Sequence, residues 1–353
     1  MLASTIFRVS VFFTILFALL VANIAVGQDL NQQKQKKVIR IQEIDNKLNA
    51  NPTKDEYETL INERSRLVTE IKKIEKELMA DVEAMRKINA VKKAYNDGNN
   101  ALRLGQFAQA IGHYNKAISQ DSTFFKAYYG RGFALNRQRQ YKKAADSYQG
   151  AIRHNPAYTD AYVNLGKIYS SRLGQPDKAI NIFKEAIEHD PGSFKAHYEL
   201  GAVYQNVKKN YKSAVEHFTQ ATRIKADYDL AYFSLGVSLT EMGKYNDGIR
   251  ALENALAFTN RKRWGNPHAR LAVIYNKKGN CSKALESAQA ALNLRKKHIL
   301  AAYEAGKASK CLGQFNKAIS YFELVKRDRQ WKKTAEYEID LIVNRDKYGG
   351  GND

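Results

Sequence analysis

Two cysteines, Cys281 and Cys311, and seven histidines are the side chains of this 353-residue sequence best suited to nucleophilic attack, proton transfer or metal ligation. An enzyme assembles such groups into a convergent set, usually announced by fixed spacings. His113, His154, His189, His197, His217, His268 and His298 fall at irregular intervals without a paired metal-ligand spacing. No His-Glu-x-x-His, phosphate-cradling glycine loop or nucleophile elbow occurs. Acidic neighbours such as Glu336 and Glu338 read as solvated faces. The expectation is a protein with no catalytic centre, no metal and no cofactor.

The elements that position the remaining polar groups are set by a repeat. Small residues recur at Gly98, Gly132, Gly166, Gly201, Gly236, Ala272 and Gly306, in steps of 34 to 36. A second small series follows at Ala110, Ala144, Ala179, Ala214, Gly248, Ala284 and Ala318. A third runs Ala117, Ala151, Ala186, Ala221, Ala255, Ala291 and Val325. Between the last two series stand Tyr114, Tyr148, Phe183, Phe218, Leu252 and Phe322, with Ala288 the exception. Within each copy apolar positions fall three and four apart, twice, with a break between, which predicts two antiparallel helices per unit. Small residues belong where the helices cross, because a larger side chain would hold the backbones apart.

This pattern resembles the tetratricopeptide repeat (TPR) family over residues 91–332. It is clearest in "AYVNLGKIYSSRLGQPDKAINIFKEAIEHDP", Ala161 to Pro191, with its aromatic, Leu-Gly, tyrosine, Ala179, Phe183, Ala186 and Pro191 in order. Copies three and four carry one extra residue between their helices, and two extra residues follow copy five near "FTNRKRWGNP". The resemblance implies an all-α fold, a right-handed α-solenoid of about seven helix pairs, in a protein-interaction scaffold. It also implies that the first helices line a concave groove. Mapped copy by copy, the expected groove residues are Tyr95, Asn99, Lys126, Tyr129, Phe133, Asn136, Arg137, Asn164, Lys167, Tyr198, Gln205, Asn206, Phe233, Asn276, Lys277, Tyr303, Lys307 and Lys310. Asparagine can hold an extended backbone, aromatics supply contact area and lysines favour acidic side chains. Of the carboxylate clamp found in some relatives only Asn99 matches, since Tyr95, Gly130 and Asp160 stand where lysine, asparagine and lysine are needed. That activity is not carried over.

Cys281 opens the second helix of copy six and Cys311 lies near the end of the first helix of copy seven, so both sit at one end of adjacent units. In an oxidising compartment a bridge would staple the two copies. Spacing does not supply bridge geometry, and two free thiols are the preferred expectation.

Ahead of the repeats, apolar residues at Val38, Ile41, Ile44 and Leu48, then Tyr57, Leu60, Leu67, Ile71, Ile74, Leu78, Met85 and Ile88, form a narrow seam on a charged background. Pro52 breaks it, and Thr53 with Glu56 makes a capping-box start. Residues 28–90 therefore read as a coiled-coil helical hairpin. Either it packs on itself or the first repeat, or residues 30–88 recruit a second copy into a homo-oligomer. Residues 333–353 read as a capping helix and flexible tail.

Residues 1–27 hold one positive charge, Arg8, followed by an uncharged apolar run from Val9 to Val26 and small residues at Ala25 and Gly27. The expectation is a signal peptide cleaved after Gly27; the alternative is a retained anchor, which would associate the protein with a membrane. Either way the chain is exported, to a periplasm or cell envelope or into the medium. Of the net charge of +21, residues 91–353 carry +19. Such a surface attracts acidic proteins, anionic lipid or polyanionic polymers, and nucleic acid is not an expected partner.

Overall fold

The structure is a computed structural model that describes residues 27–50 and 52–348. The expected signal or anchor segment, up to residue 26, and the tail from residue 349 lie outside the described residues. Every regular element among the described residues is a helix. The chain divides into two compact units.

The first unit holds the described residues up to Leu104 together with Gly112–Ser122. Helix α1 spans 27–48, and α2 runs Lys54–Arg103. The capping box forms: the Thr53 hydroxyl accepts from the Glu56 amide (3.4 Å), and the Glu56 carboxylate accepts from the Thr53 amide (3.0 Å). Helices α1 and α2 run antiparallel, as the pairs Lys34–Glu75, Lys37–Glu70, Arg40–Glu63 and Asp45–Arg64 show. These exposed pairs set direction and register more than stability. Of the expected seam, Ile44, Leu67 and Ile74 are buried, whereas Val38, Tyr57, Met85 and Ile88 are exposed.

Helix α2 passes residue 90 without a break. The second hairpin helix and the first helix of copy one are therefore a single 50-residue element. Its last turns carry Gly98 against the ring of Tyr114, on α3 (Phe107–Gln120).

The second unit holds Gly105–Ile111 and the described residues from Thr123 onward. It is an α-solenoid. Copy two pairs α4 (Phe125–Arg137) with α5 (Tyr141–His154), and copy three pairs α6 (Thr159–Ser171) with α7 (Pro176–His189). Copy four pairs α8 (Phe194–Val203) with α9 (Tyr211–Ile224), and copy five α10 (Asp229–Glu241) with α11 (Tyr245–Phe258). Copy six is α12 (Asn266–Lys277) and α13 (Cys281–Leu294); copy seven is α14 (Ile299–Cys311) and α15 (Phe315–Lys326). Helix α16 (Lys332–Val343) then lays Ala335 and Ile342 on the Phe322–Val325 core.

The small-residue series has a direct steric cause. A methyl group built on Gly132, Gly166, Gly201 or Gly306 would come within 3.0 Å of the ring of Tyr148, Phe183, Phe218 or Phe322, all fully buried. Glycine is the notch into which the large residue of the second helix fits. Copy six solves the same crossing differently. Ala272 replaces the glycine, Ala288 replaces the ring, and the two pack with Ala305. The extra residues of copies three and four are also absorbed differently. Copy three uses Gly174 in the left-handed region, while copy four inserts a π-helical turn, Tyr204–Lys208, and puts Lys209 there instead.

Candidate protein-binding surface

The first helices of the second unit stand side by side, and several of the expected groove residues bond to a neighbouring first helix or to α16. Asn164 Nδ2 donates to Tyr129 Oη (3.0 Å) and to the Asp160 carbonyl (2.8 Å). Lys167 reaches Glu199 (2.7 Å), while Lys195 returns to Asp160 (3.0 Å). Asn276 Nδ2 donates to the backbone and carboxylate oxygens of Glu304, which is buried. Lys307 lies 3.6 Å from the same carboxylate. Lys310 and Tyr303 both reach Glu338 on α16. Burial, with Glu338 and Glu304 nearby, pushes the Tyr303 hydroxyl up to about 12.

Gln205 was expected to face the groove, and the structure corrects this. It lies within the π-helical turn and is buried, donating to the Ser234 carbonyl (2.9 Å) and the Ser238 hydroxyl (2.8 Å) of α10. In the first unit, Asn99 Oδ1 accepts from Tyr114 Oη (2.7 Å), and Tyr95 packs on the same ring.

The groove aromatics are also paired. Tyr129, Tyr198, Phe233 and Tyr303 each stand three residues before the notch position. Each is covered from the following loop by Tyr158, Tyr228, Trp264 or Trp331, with ring centroids 5.0 to 5.3 Å apart. Copies three and six have Val163 and Ala269 at the equivalent position, and Ser193 and His298, both buried, hold the equivalent loop position. The covering partner was not found from the sequence, although its size co-varies with the groove residue along the chain.

What remains accessible concentrates on α4. Phe133 and Asn136 are half-buried and have neither a side-chain hydrogen bond nor a ring contact among the described residues. Lys126 and Arg137 flank them, exposed, each over a neighbouring phenylalanine and with no carboxylate partner among the described residues. Asn206 and Lys277 are exposed further along, Lys277 lying over the Tyr245 ring.

Comparison with known proteins agrees with this geometry. A family model described as TPR repeat matches residues 98–139, and one described as tetratricopeptide repeat matches 159–193. The chain carries tetratricopeptide repeats. The small glutamine-rich tetratricopeptide repeat-containing protein of Dictyostelium discoideum is 32% identical over 74 residues, 21% of this chain and 22% of that one. Anaphase-promoting complex subunit 3 of Schizosaccharomyces pombe is 28% identical over 199 residues, 55% of this chain and 29% of that one. The chain thus spans less than a third of the length of these curated relatives. Among solved structures, the C-terminal part of a TPR repeat-containing protein from Cytophaga hutchinsonii superposes with a TM-score of 0.55 at 15% identity, covering 69% of this chain and 99% of that one. At that identity the likeness establishes the fold.

Two contacts of this TPR protein are set by the packing of adjacent helices. The preferred expectation of free thiols is overturned: Cys281 and Cys311 form a disulfide, with Cα atoms 6.1 Å apart. Cys281 begins α13 and Cys311 ends α14, so helix packing delivers the two side chains to one spot. His197 and His217, twenty residues apart, meet with their Nδ1 atoms 3.3 Å apart, and Tyr204 stacks on His217. Burial and the facing His197 ring lower the His217 imidazole to about 4. Among the described residues no three potential ligands come together to hold a metal ion.

Proposed function

We propose that this TPR protein is a scaffold that captures a protein or peptide segment along the first helices of its second unit. TPR proteins serve as scaffolds that bind protein partners, and the observation that localises the reading here is the α4 cluster. Elsewhere many groove side chains are committed to the neighbouring repeat, as Asn164, Lys167 and Asn276 are, whereas Phe133 and Asn136 keep unused contact area and hydrogen-bonding capacity side by side. An aromatic beside an amide suits an extended backbone with one apolar side chain, and Lys126 and Arg137 favour acidic residues on either side. In an exported chain the partner would be a protein of the periplasm or cell envelope. Self-association through residues 30–88 would make capture multivalent.

The test is affinity capture from the protein's own envelope fraction with wild type and with the Phe133→Ala, Asn136→Ala double variant. Loss of a central aromatic contact predicts about tenfold or greater weakening for specific partners. Circular dichroism should be unchanged, because neither side chain bonds within the fold. Capture of the same partners at the same strength by the double variant would sink the proposal.

A further inference from the structure

The charge of the second unit is unevenly placed. The loops leading from one repeat to the next at residues 155–158, 190–193 and 225–228 carry net charges of 0, −1 and 0. The equivalent loops at 259–265, 295–298 and 327–331 carry +3, +3 and +1. All three lie at the end of the solenoid where second helices finish and first helices begin. They are neighbours: His298 Nε2 is 3.0 Å from Asn266 Oδ1, and a cavity of about 440 Å³ opens between the second and third loops. That cavity joins Lys296, Lys297 and Arg327 to an apolar floor of Ile299, Ala302 and Leu324.

Local carboxylates neutralise only part of this edge. Arg261 is held by Asp229, Lys326 by Glu323 and Lys332 by Glu336. Lys262, Arg263, Lys296, Lys297, Arg327 and Arg329 are exposed with no carboxylate partner among the described residues. Asp328 turns its Oδ1 to the Gln330 amide (3.0 Å). Cations at helix C-termini do complement the helix dipole, which accounts for Arg295 and Arg327 as caps. It does not account for pairs such as Lys262–Arg263 or Lys296–Lys297 beyond the helix ends. Large apolar side chains are interleaved with these cations. Phe258, Leu294 and Leu324, in the last turns of α11, α13 and α15, are 41%, 37% and 39% exposed. Trp264 and Trp331, the only tryptophans in the chain, brace two of the loops by packing on Phe233 and Tyr303.

We propose that this edge docks on an anionic lipid bilayer. Unpaired, exposed cations respond to charge density, and apolar side chains spaced between them fit the boundary between headgroups and acyl chains. A row of loop tips meets a flat surface over three repeats, and the Lys296–Arg327 cavity has the charge and size for a lipid phosphate. No described helix is long and apolar enough to cross a membrane.

The test is co-sedimentation of the full chain with phosphatidylcholine vesicles, with and without phosphatidylglycerol. The edge variant is Lys296→Glu, Lys297→Glu, Arg327→Glu. The control, Lys142→Glu, Lys143→Glu, Lys212→Glu, changes net charge equally at exposed positions in the first turns of α5 and α9. Wild type should bind only the anionic vesicles, and the edge variant on the order of a hundredfold more weakly. The control should stay within a few-fold of wild type, and Leu294→Ser with Leu324→Ser should weaken binding that persists at high salt. Equal loss in edge and control variants would reduce the effect to net charge and overturn the proposal. So would preference for a poly-glutamate chain over vesicles at matched charge, which would assign the edge to an acidic protein. Phe133→Ala, Asn136→Ala should leave vesicle binding intact, keeping this result independent of groove capture.

Discussion

The notch at each helix crossing predicts a reversal in the effect of one substitution. In copy three a Cβ on Gly166 would lie 2.5, 2.6 and 2.9 Å from three ring carbons of Phe183. That ring is fully buried among Ala179, Leu200 and Val203, so it cannot swing aside. Gly166→Ala should therefore destabilise by about 1–3 kcal/mol through overpacking, although alanine is the better helix former by about 1 kcal/mol. Phe183→Ala alone should cost about 3–5 kcal/mol, from lost transfer energy and a cavity. With the ring gone, the Gly166→Ala methyl enters vacant space and its helix propensity is expressed, so it should stabilise by up to about 1 kcal/mol. The coupling between the two sites is then about 1–4 kcal/mol. Copy six, with Ala272 and Ala288, already holds the double-alanine arrangement. Urea unfolding of all four proteins, followed by circular dichroism, measures the cycle. If Gly166→Ala costs the same in both backgrounds, to within about 0.5 kcal/mol, steric complementarity is not what keeps glycine in the repeat.

Two further outcomes follow from the cross-repeat contacts. The disulfide closes a loop with a sequence separation of 30, so its loss should cost about 3–4 kcal/mol on the chain-entropy account. Thermal unfolding with and without reductant checks this: wild type should fall to the level of Cys311→Ser, and the variant should not respond. His217 is held to about 4 in the native state against roughly 6.5 when unfolded, so the unfolded chain takes up the proton first. Its contribution to stability is complete above about pH 6.5 and is lost as pH falls from there toward 4. His217→Gln should flatten the urea midpoint across that window, and an unchanged slope would show that this imidazole does not set it.

The repeat was legible because its cause is local in sequence. A glycine sixteen or seventeen residues before a ring needs only two adjacent helices to explain it, and both positions recur in nearly every copy. The groove was less legible. Position in the repeat tells which side chains leave the first helix on the open side, but not what stands opposite on the next one. Asn164, Lys167, Asn276 and Lys310 were expected on that side, and each has a partner 28 to 35 residues away. Gln205 lies inward within a π-helical turn, one of two ways of absorbing an extra residue between which propensity does not decide. The basic loops were visible only as part of a net charge until adjacent repeats placed them along one edge.

The sequence by itself determined the helices, their pairing into units and the sizes of the side chains at each crossing, because these depend on periodicities of three, four and about thirty-four residues. Tertiary structure alone decided that Cys281 meets Cys311, that His197 meets His217, and that several groove residues serve the neighbouring repeat. Those contacts depend on how far each unit turns relative to the last. That angle comes from packing of the whole interface, and no short stretch of chain encodes it.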